Sequence, residues 1–349
     1  MPTLLAQIAP QRSTQYSALA TALAPSELTL SALGAHIRVQ HLVTLGGQNF
    51  VECELDTWPS DVSWRDLGLP AMTSAFFEAR MIDGAMWLRP VDLPFQPALG
   101  LDLMMTRRYK GKTNEAFTHF MLNLARFSSA FRHEPWSSLR VFDPLSGGGT
   151  TLFAALALGA HASGVEQNKE DVESTAAFVA QYCREQGMVF EEREERLKKY
   201  GRRWCFILGS AKQHCILARG DTSASAGLMA GVKSPHLIVA DLPYGIQHPG
   251  ELAQLLTEAF PVWASMLTQG GAMVLAWDST RFGRTDMLAM LSALVPNTSA
   301  LTPLTCSPYD QLAHRVDRVI KQRDVVVVAQ PASPPSAAGT MPVEQGAHS

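Results

Sequence analysis

Several signals that would settle a chemistry quickly are missing from this sequence. Its five cysteines are scattered over 349 residues with no Cys-x-x-Cys pair. That spacing offers neither a thiolate zinc site nor a disulfide framework, and buried or surface thiols in a reducing compartment are expected. No apolar run is long enough to cross a bilayer. The start, Met-Pro-Thr-Leu-Leu-Ala-Gln, lacks a basic region ahead of an apolar core, so the cytoplasm is the expected location, with no membrane partner. A basic excess is absent too: 29 Lys and Arg stand against 32 Asp and Glu, for a net charge of −3. A nucleic-acid partner would have to be met by local patches. There is no internal repeat, no Ser-His-Asp arrangement and no metal-binding cluster, so no metal is expected.

What is present is an alternation of short strands and helices. Residues 1–105 hold apolar runs at 37–43, 50–54 and 85–90 between turn signals, which reads as a small mixed α/β unit of unknown role. Phe117, Phe120, Met121, Leu124 and Phe127 recur at helical spacing and predict a buried helix over 114–131. Strands are expected at 139–143, 162–165, 215–218, 237–240, 272–277 and 325–328, and helices at 150–158, 169–184, 251–267 and 285–294. The stretch 191–203 mixes both charge signs at helical spacing and reads as a solvated face with i,i+4 pairs. The tail from Pro331, rich in Pro, Ala, Ser and Gly, is expected to be disordered. Repeated β-α units with apolar strands imply a doubly wound, mostly parallel α/β sheet over 106–330.

Two strand ends carry the chemistry. The first is Val141-Phe-Asp-Pro-Leu-Ser-Gly-Gly-Gly-Thr-Thr151, a strand running into a glycine loop and a helix. Gly147, Gly148 and Gly149 allow a tight turn and close approach of a ligand, and Thr150 and Thr151 open a helix whose free N–H groups favour a ligand's negative end. Glu166, about twenty residues on, sits at the offset of an acid that grips ribose hydroxyls. A dinucleotide fingerprint would place a third glycine where Leu152 stands, and no Gly-Lys-Ser/Thr closes the loop as a nucleotide triphosphate cradle would. A third acid, Asp221, follows the next strand; it reads either as an acceptor for an adenine amino group or as a helix N-cap.

The second strand end is His236-Leu-Ile-Val-Ala-Asp-Leu-Pro-Tyr-Gly245, about ninety residues later. The lone pair of a base NH2 is delocalised into the ring, so that nitrogen is a poor nucleophile. Two acceptors on its hydrogens, the Asp241 carboxylate and the Leu242 carbonyl, would pull it towards tetrahedral geometry. Pro243 stiffens the loop, and Tyr244 offers a flat face for stacking.

Together these segments resemble base amino-methyltransferases that use S-adenosylmethionine (SAM). Asp143-Pro-Leu-Ser146-Gly147-Gly-Gly149-Thr150 is similar to their Asp-Pro-Phe-x-Gly-x-Gly-Thr loop, and Asp241-Leu-Pro-Tyr-Gly to their Asn/Asp-Pro-Pro-Tyr/Phe loop. The pattern is similar to tRNA guanosine N2-methyltransferases and related rRNA methylases. The resemblance implies a Rossmann-like class I methyltransferase sheet with a smaller N-terminal α/β domain. It implies SAM as cofactor, held by Asp143, Ser146, Gly147, Gly149, Thr150, Glu166 and Asp221. Asp241, Leu242, Pro243 and Tyr244 would form the catalytic loop, and guanine N2 in tRNA or rRNA would be the target. The basic segment and helix at 107–127 resemble the stretch that helps cover SAM. Leu242 departs from the family's first proline, and residues 1–105 have no match to the RNA-binding THUMP domain of that family. A DNA adenine N6-methyltransferase and a non-catalytic binding protein of the same fold remain as alternatives. Three basic runs are candidate phosphate contacts or plain solvated charge: Arg107, Arg108, Lys110 and Lys112; Lys198, Lys199, Arg202 and Arg203; Arg315, Arg318, Lys321 and Arg323.

Overall fold

Strand β1 (Thr3–Ile8), helix α1 (Thr14–Leu30), strands β2 (Ile37–Leu45) and β3 (Gln48–Leu55), helix α2 (Asp61–Leu67) and strands β4 (Thr73–Ile82) and β5 (Ala85–Val91) build an antiparallel sheet in the order β2-β3-β1-β4-β5. The β-α-β-β-α-β succession is ferredoxin-like with one added edge strand. The computed structural model describes residues 1–10, 14–107, 109, 112–243, 249–295, 300–316 and 321–330. The tail expected to be disordered, 331–349, lies outside the described residues.

Next come helices α3 (Asp102–Thr106) and α4 (Glu115–Phe127), the latter capped by the Asn114 side chain, which accepts from Phe117 N. Strand β6 (Arg140–Asp143), helix α5 (Thr150–Leu158), strand β7 (His161–Glu166) and helix α6 (Lys169–Glu185) follow. After them run strands β8 (Phe190–Leu197), β9 (Gly201–Leu208) and β10 (Gln213–Arg219), the short helix α7 (Ser225–Leu228) and strand β11 (Leu237–Asp241). Helix α8 (Pro249–Met266), which passes through Pro261 without ending, leads to strand β12 (Ala272–Asp278) and helix α9 (Arg284–Leu294). Strands β13 (Thr302–Pro303), β14 (His314–Arg315) and β15 (Gln322–Ala329) close the chain.

Strands β10, β7, β6, β11 and β12 lie side by side and parallel, and β15 runs antiparallel beside β12. This is the doubly wound, Rossmann-like sheet read from the sequence. Its central strands are buried on both faces, which explains their unbroken apolar runs: all of Leu237–Ala240, Ala272–Trp277 and Val325–Ala329 are buried. Alternate residues feed two cores. Val239 and Val274 join a cluster that runs on through α4 into the N-terminal unit, to Leu4, Val51 and Phe76. Ile238 and Met273 face the other cluster, under α8 and α9.

Buried polar contacts also tie the two sheets. The Glu27 carboxylate accepts from Ala71 N (2.9 Å), Met72 N (2.8 Å) and the Asn123 amide of α4 (2.8 Å). Arg126 donates to Asp66 O at 2.8 Å. Burial raises the Glu27 carboxyl above its ordinary value, and these three bonds pull it back.

The stretch 191–203 is corrected by the structure. It forms no helix but the hairpin β8–β9, which pairs antiparallel and extends the parallel sheet past β10. Its mixed charges lie along an exposed edge strand, where charge discourages pairing with other chains.

Candidate active site

Parallel strands β6 and β11 are neighbours, so both loops singled out in the sequence leave the same edge of the sheet. The glycine loop lies flat on β7. Ser146 donates through N and Oγ to Val165 O, at 2.9 and 3.3 Å, and Gly149 N donates to Ser146 O at 2.7 Å. Gly147 and Gly149 have φ of 48° and 90°, a region that disfavours side chains. Gly164 on β7 makes room, since a Cβ there would come within 2.7 Å of Ser146 Cβ. Glu166 grips the loop directly: Oε2 accepts from Gly147 N at 2.9 Å, and Oε1 from Asn168 N at 2.7 Å.

Arg107 and Tyr109 form a strap across this loop, and Lys112 and Thr113 belong to the same segment on its way to Asp241. The Tyr109 ring lies on Gly148, where a Cβ would come within 2.4 Å of it, and its hydroxyl hydrogen-bonds Thr150 Oγ1. Arg107 donates to Gly148 O, to Thr175 Oγ1 and to Ser174 Oγ. Lys112 donates to Met104 O (2.7 Å) and Arg107 O (2.8 Å) and pairs with Glu115. Arg107 and Lys112 are thus turned inward and are not surface phosphate contacts; Arg108 and Lys110 lie outside the described residues.

Asp241 ends β11. Its Oδ2 accepts from the Thr113 hydroxyl at 2.5 Å and lies 3.9 Å from Arg323 Nη2. Its Oδ1 is buried and has no hydrogen-bond partner among the described residues. Burial raises the Asp241 carboxyl, while Arg323 and then Thr113 draw it down. Arg323 is buried on β15 with its guanidinium 4.5 Å from the Phe117 ring centroid, the geometry of a cation–π contact. The sequence grouped it with a basic run read as either phosphate contacts or plain solvated charge; in the structure it stands beside the carboxylate. Thr113 lies within the 107–127 segment that resembles a cover for SAM, but the sequence assigns it no role of its own.

Leu242 donates its N–H to Ala276 O at 2.8 Å, and its side chain is fully buried in the core under α8. A proline could make no such bond. The departure from the family pattern therefore exchanges a φ lock for a backbone tie and a buried anchor. Pro243 is exposed, and Tyr244 lies outside the described residues, as does Gly245.

Asp143 is buried at the end of β6 and accepts from Leu145 N at 2.9 Å. Burial pushes its carboxyl up to about 7; Thr151 and Leu145 pull it down, and the charges of Asp241 and Glu166 push it up. Asp221 stands exposed beyond β10, where its Oδ1 accepts from Ser223 N (2.8 Å) and Ser223 Oγ (2.6 Å). That is the N-cap arrangement.

Solved structures of RNA methyltransferases are among those this chain resembles. TrmN from Thermus thermophilus shows 13% identity and a TM-score of 0.45, over 95% of this chain and 100% of that one. An RNA methyltransferase from Salinibacter ruber, in complex with S-adenosyl-L-homocysteine, shows 15% identity and a TM-score of 0.32, over 66% and 99%. A 16S rRNA N2 methyltransferase from T. thermophilus, in complex with AdoMet and guanosine, shows 15% identity and a TM-score of 0.35, over 85% and 60%. No protein-family model matches the chain, and no curated protein matches it.

Proposed function

We propose that this protein is a SAM-dependent methyltransferase acting on an exocyclic amine of an RNA base, guanine N2 in tRNA or rRNA first. One observation carries the reading. A carboxylate at a strand end has one oxygen tied down by Thr113 and the other buried without a hydrogen-bond partner among the described residues, beside a glycine loop on the adjoining strand. A buried acceptor left unsatisfied is costly, of order 1–3 kcal/mol. A base amino group entering there satisfies it.

The residues at the loop suit SAM. An ionised carboxylate has about four acceptor sites; Glu166 uses two on backbone amides and keeps others for ribose hydroxyls. Gly147 has open space where a Cβ would stand, so a ligand can lie against its backbone. Asp143 is the acid for the ammonium of the methionine part, and Asp221 keeps its adenine role only if its second oxygen serves. Ser146, Gly149 and Thr150 shape the loop. SAM supplies, when bound, a methyl group already activated on sulfur. Asp241 Oδ1 and the Leu242 carbonyl accept from the two amine hydrogens and aim the lone pair. Pro243 and Tyr244 fix the loop and stack the base, which must be unpaired or flipped out. Arg323 and Thr113 favour the ionised form of Asp241, which then takes the proton released by the alkylated amine.

The test is transfer of label from methyl-labelled SAM to tRNA, rRNA and duplex DNA. Label in tRNA or rRNA guanosine is expected. Label in DNA alone contradicts the RNA assignment, and SAM binding with no transfer to any of them favours a non-catalytic protein.

Asp143 gives a pH signature. An ammonium ligand requires its carboxylate, so SAM affinity should rise with pH through about 7 and flatten above it. Below that point it should fall by up to about tenfold per pH unit. Without ligand, the same upward shift favours the folded state at acid pH. That stability is lost as the pH climbs from the ordinary carboxylate range through about 7. Calorimetry across this range checks both; Asp143→Asn should remove the pH dependence, and its persistence would dissociate Asp143 from the ammonium.

A further inference from the structure

The hairpin β8–β9 brings arginines into register. Arg196 on β8 stands opposite Arg202 on β9, Arg202 opposite Arg219 on β10, and Arg219 beside Glu166 on β7. Directly opposed residues share one face of a sheet, and like charges so placed repel. All three arginines are exposed. Among the described residues the row has one ion pair, Arg202 with Glu194 at 3.0 Å. The row lines a groove of about 650 Å³ together with Lys198 and Tyr200, and the groove reaches Gln167 and Asp221. Tyr200 is held in place by resting on Gly227, where a Cβ would come within 2.3 Å of its ring. Arg203, by contrast, points to the other face, bonded to Glu195 and to Leu228 O and Ala230 O.

Three like charges side by side cost stability, and the single ion pair of Arg202 with Glu194 offsets only part of that. SAM has no phosphate and asks for no such row. The groove begins at the outer edge of the sheet and reaches Gln167, the residue after Glu166 of the proposed cofactor site. Two strand spacings make the row roughly 10 Å long, enough for a short stretch of nucleic-acid backbone. We propose that the row Arg196–Arg202–Arg219 is a phosphate track that holds the RNA backbone beside the cofactor site, with Tyr200 available to stack a base. The assignment rests on the RNA-methyltransferase reading and gives the β8–β9 hairpin the docking role that a basic surface would otherwise supply.

The experiment titrates fluorescein-labelled bulk tRNA with the full chain at increasing salt. It compares wild type, the double variant Arg196→Gln/Arg219→Gln, and Lys212→Gln at the opposite end of the hairpin strands as reference. Each phosphate contact contributes roughly 0.7–0.9 to the slope of log affinity against log salt. The double variant should lose about 1.5 of that slope and bind tRNA at least about tenfold more weakly. Lys212→Gln should keep the wild-type slope. SAM affinity by calorimetry should stay within a factor of about 2, and the melting temperature should not fall, because opposed like charges have been removed. Equal slopes in wild type and double variant overturn the track, and so does a weaker slope accompanied by a lower melting temperature or lost SAM binding. Wild-type protein with the row-dependent slope but no SAM uptake would contradict the methyl-transfer reading and leave the track standing.

Discussion

Asp241→Ala should reduce turnover at saturating RNA by about 10²–10⁴-fold, the range for loss of a positioned proton acceptor or charge-stabilising group. SAM affinity should change by no more than a few-fold. The division follows from where the side chain points. Its Oδ2 accepts from Thr113 and its Oδ1 is a buried acceptor without a hydrogen-bond partner among the described residues, the one proposed for the substrate amine, whereas the loop amides are held by Glu166 and Val165 O. Alanine also takes a carboxylate away from buried Arg323, so melting curves must accompany the kinetics. Asp241→Asn is the companion variant. It keeps shape and an acceptor oxygen but brings an NH2 where the amine hydrogens must be received, and it should be nearly as inactive with less effect on stability. Parallel loss of SAM affinity and turnover in both variants would contradict the assigned roles.

Glu166→Ala should weaken SAM binding by about 10–100-fold, the effect of losing charge-assisted hydrogen bonds of about 1.5–3 kcal/mol. Two losses combine. Ribose hydroxyls lose their acceptor, and Gly147 N and Asn168 N lose the carboxylate that holds the loop against β7. Glu166→Gln keeps the shape but not the two acceptors: one amide oxygen cannot serve both backbone donors, and its NH2 would face one of them. The glutamine variant should therefore also bind SAM poorly, with turnover at saturating SAM less affected than affinity. Calorimetry and steady-state kinetics check the pair; unchanged affinity in the alanine variant would remove Glu166 from the site.

The parts that were legible in the sequence were those set by local backbone chemistry. Buried strands announce themselves as apolar runs, and Gly147 and Gly149 mark a left-handed turn because little else tolerates it. The stretch 191–203 reads in the sequence as a helical solvated face because the mixed charges of an exposed edge strand also satisfy i,i+4 pairing. Tertiary neighbours were illegible for another reason. Arg323 lies some eighty positions after Asp241 and looks like one cation in a basic run. Only the antiparallel return of β15 beside β12, with Arg323 level with Asp278, brings it to the carboxylate. Thr113 reaches Asp241 from across 128 positions, and the basic segment around it gives no pattern that points to a carboxylate.

The segment that carries the strap has a consequence for the order of events. Its first part touches the glycine loop through Arg107 and Tyr109, and its last residue, Thr113, orients Asp241. Tyr109 and Thr113 lie four positions apart in the chain, so a ligand that displaces Tyr109 from Gly148 should also affect the residue that holds the acid. Donor and acceptor molecules should then sense each other's arrival, and linkage makes that influence mutual: whatever factor the first adds to the second's affinity, the second returns.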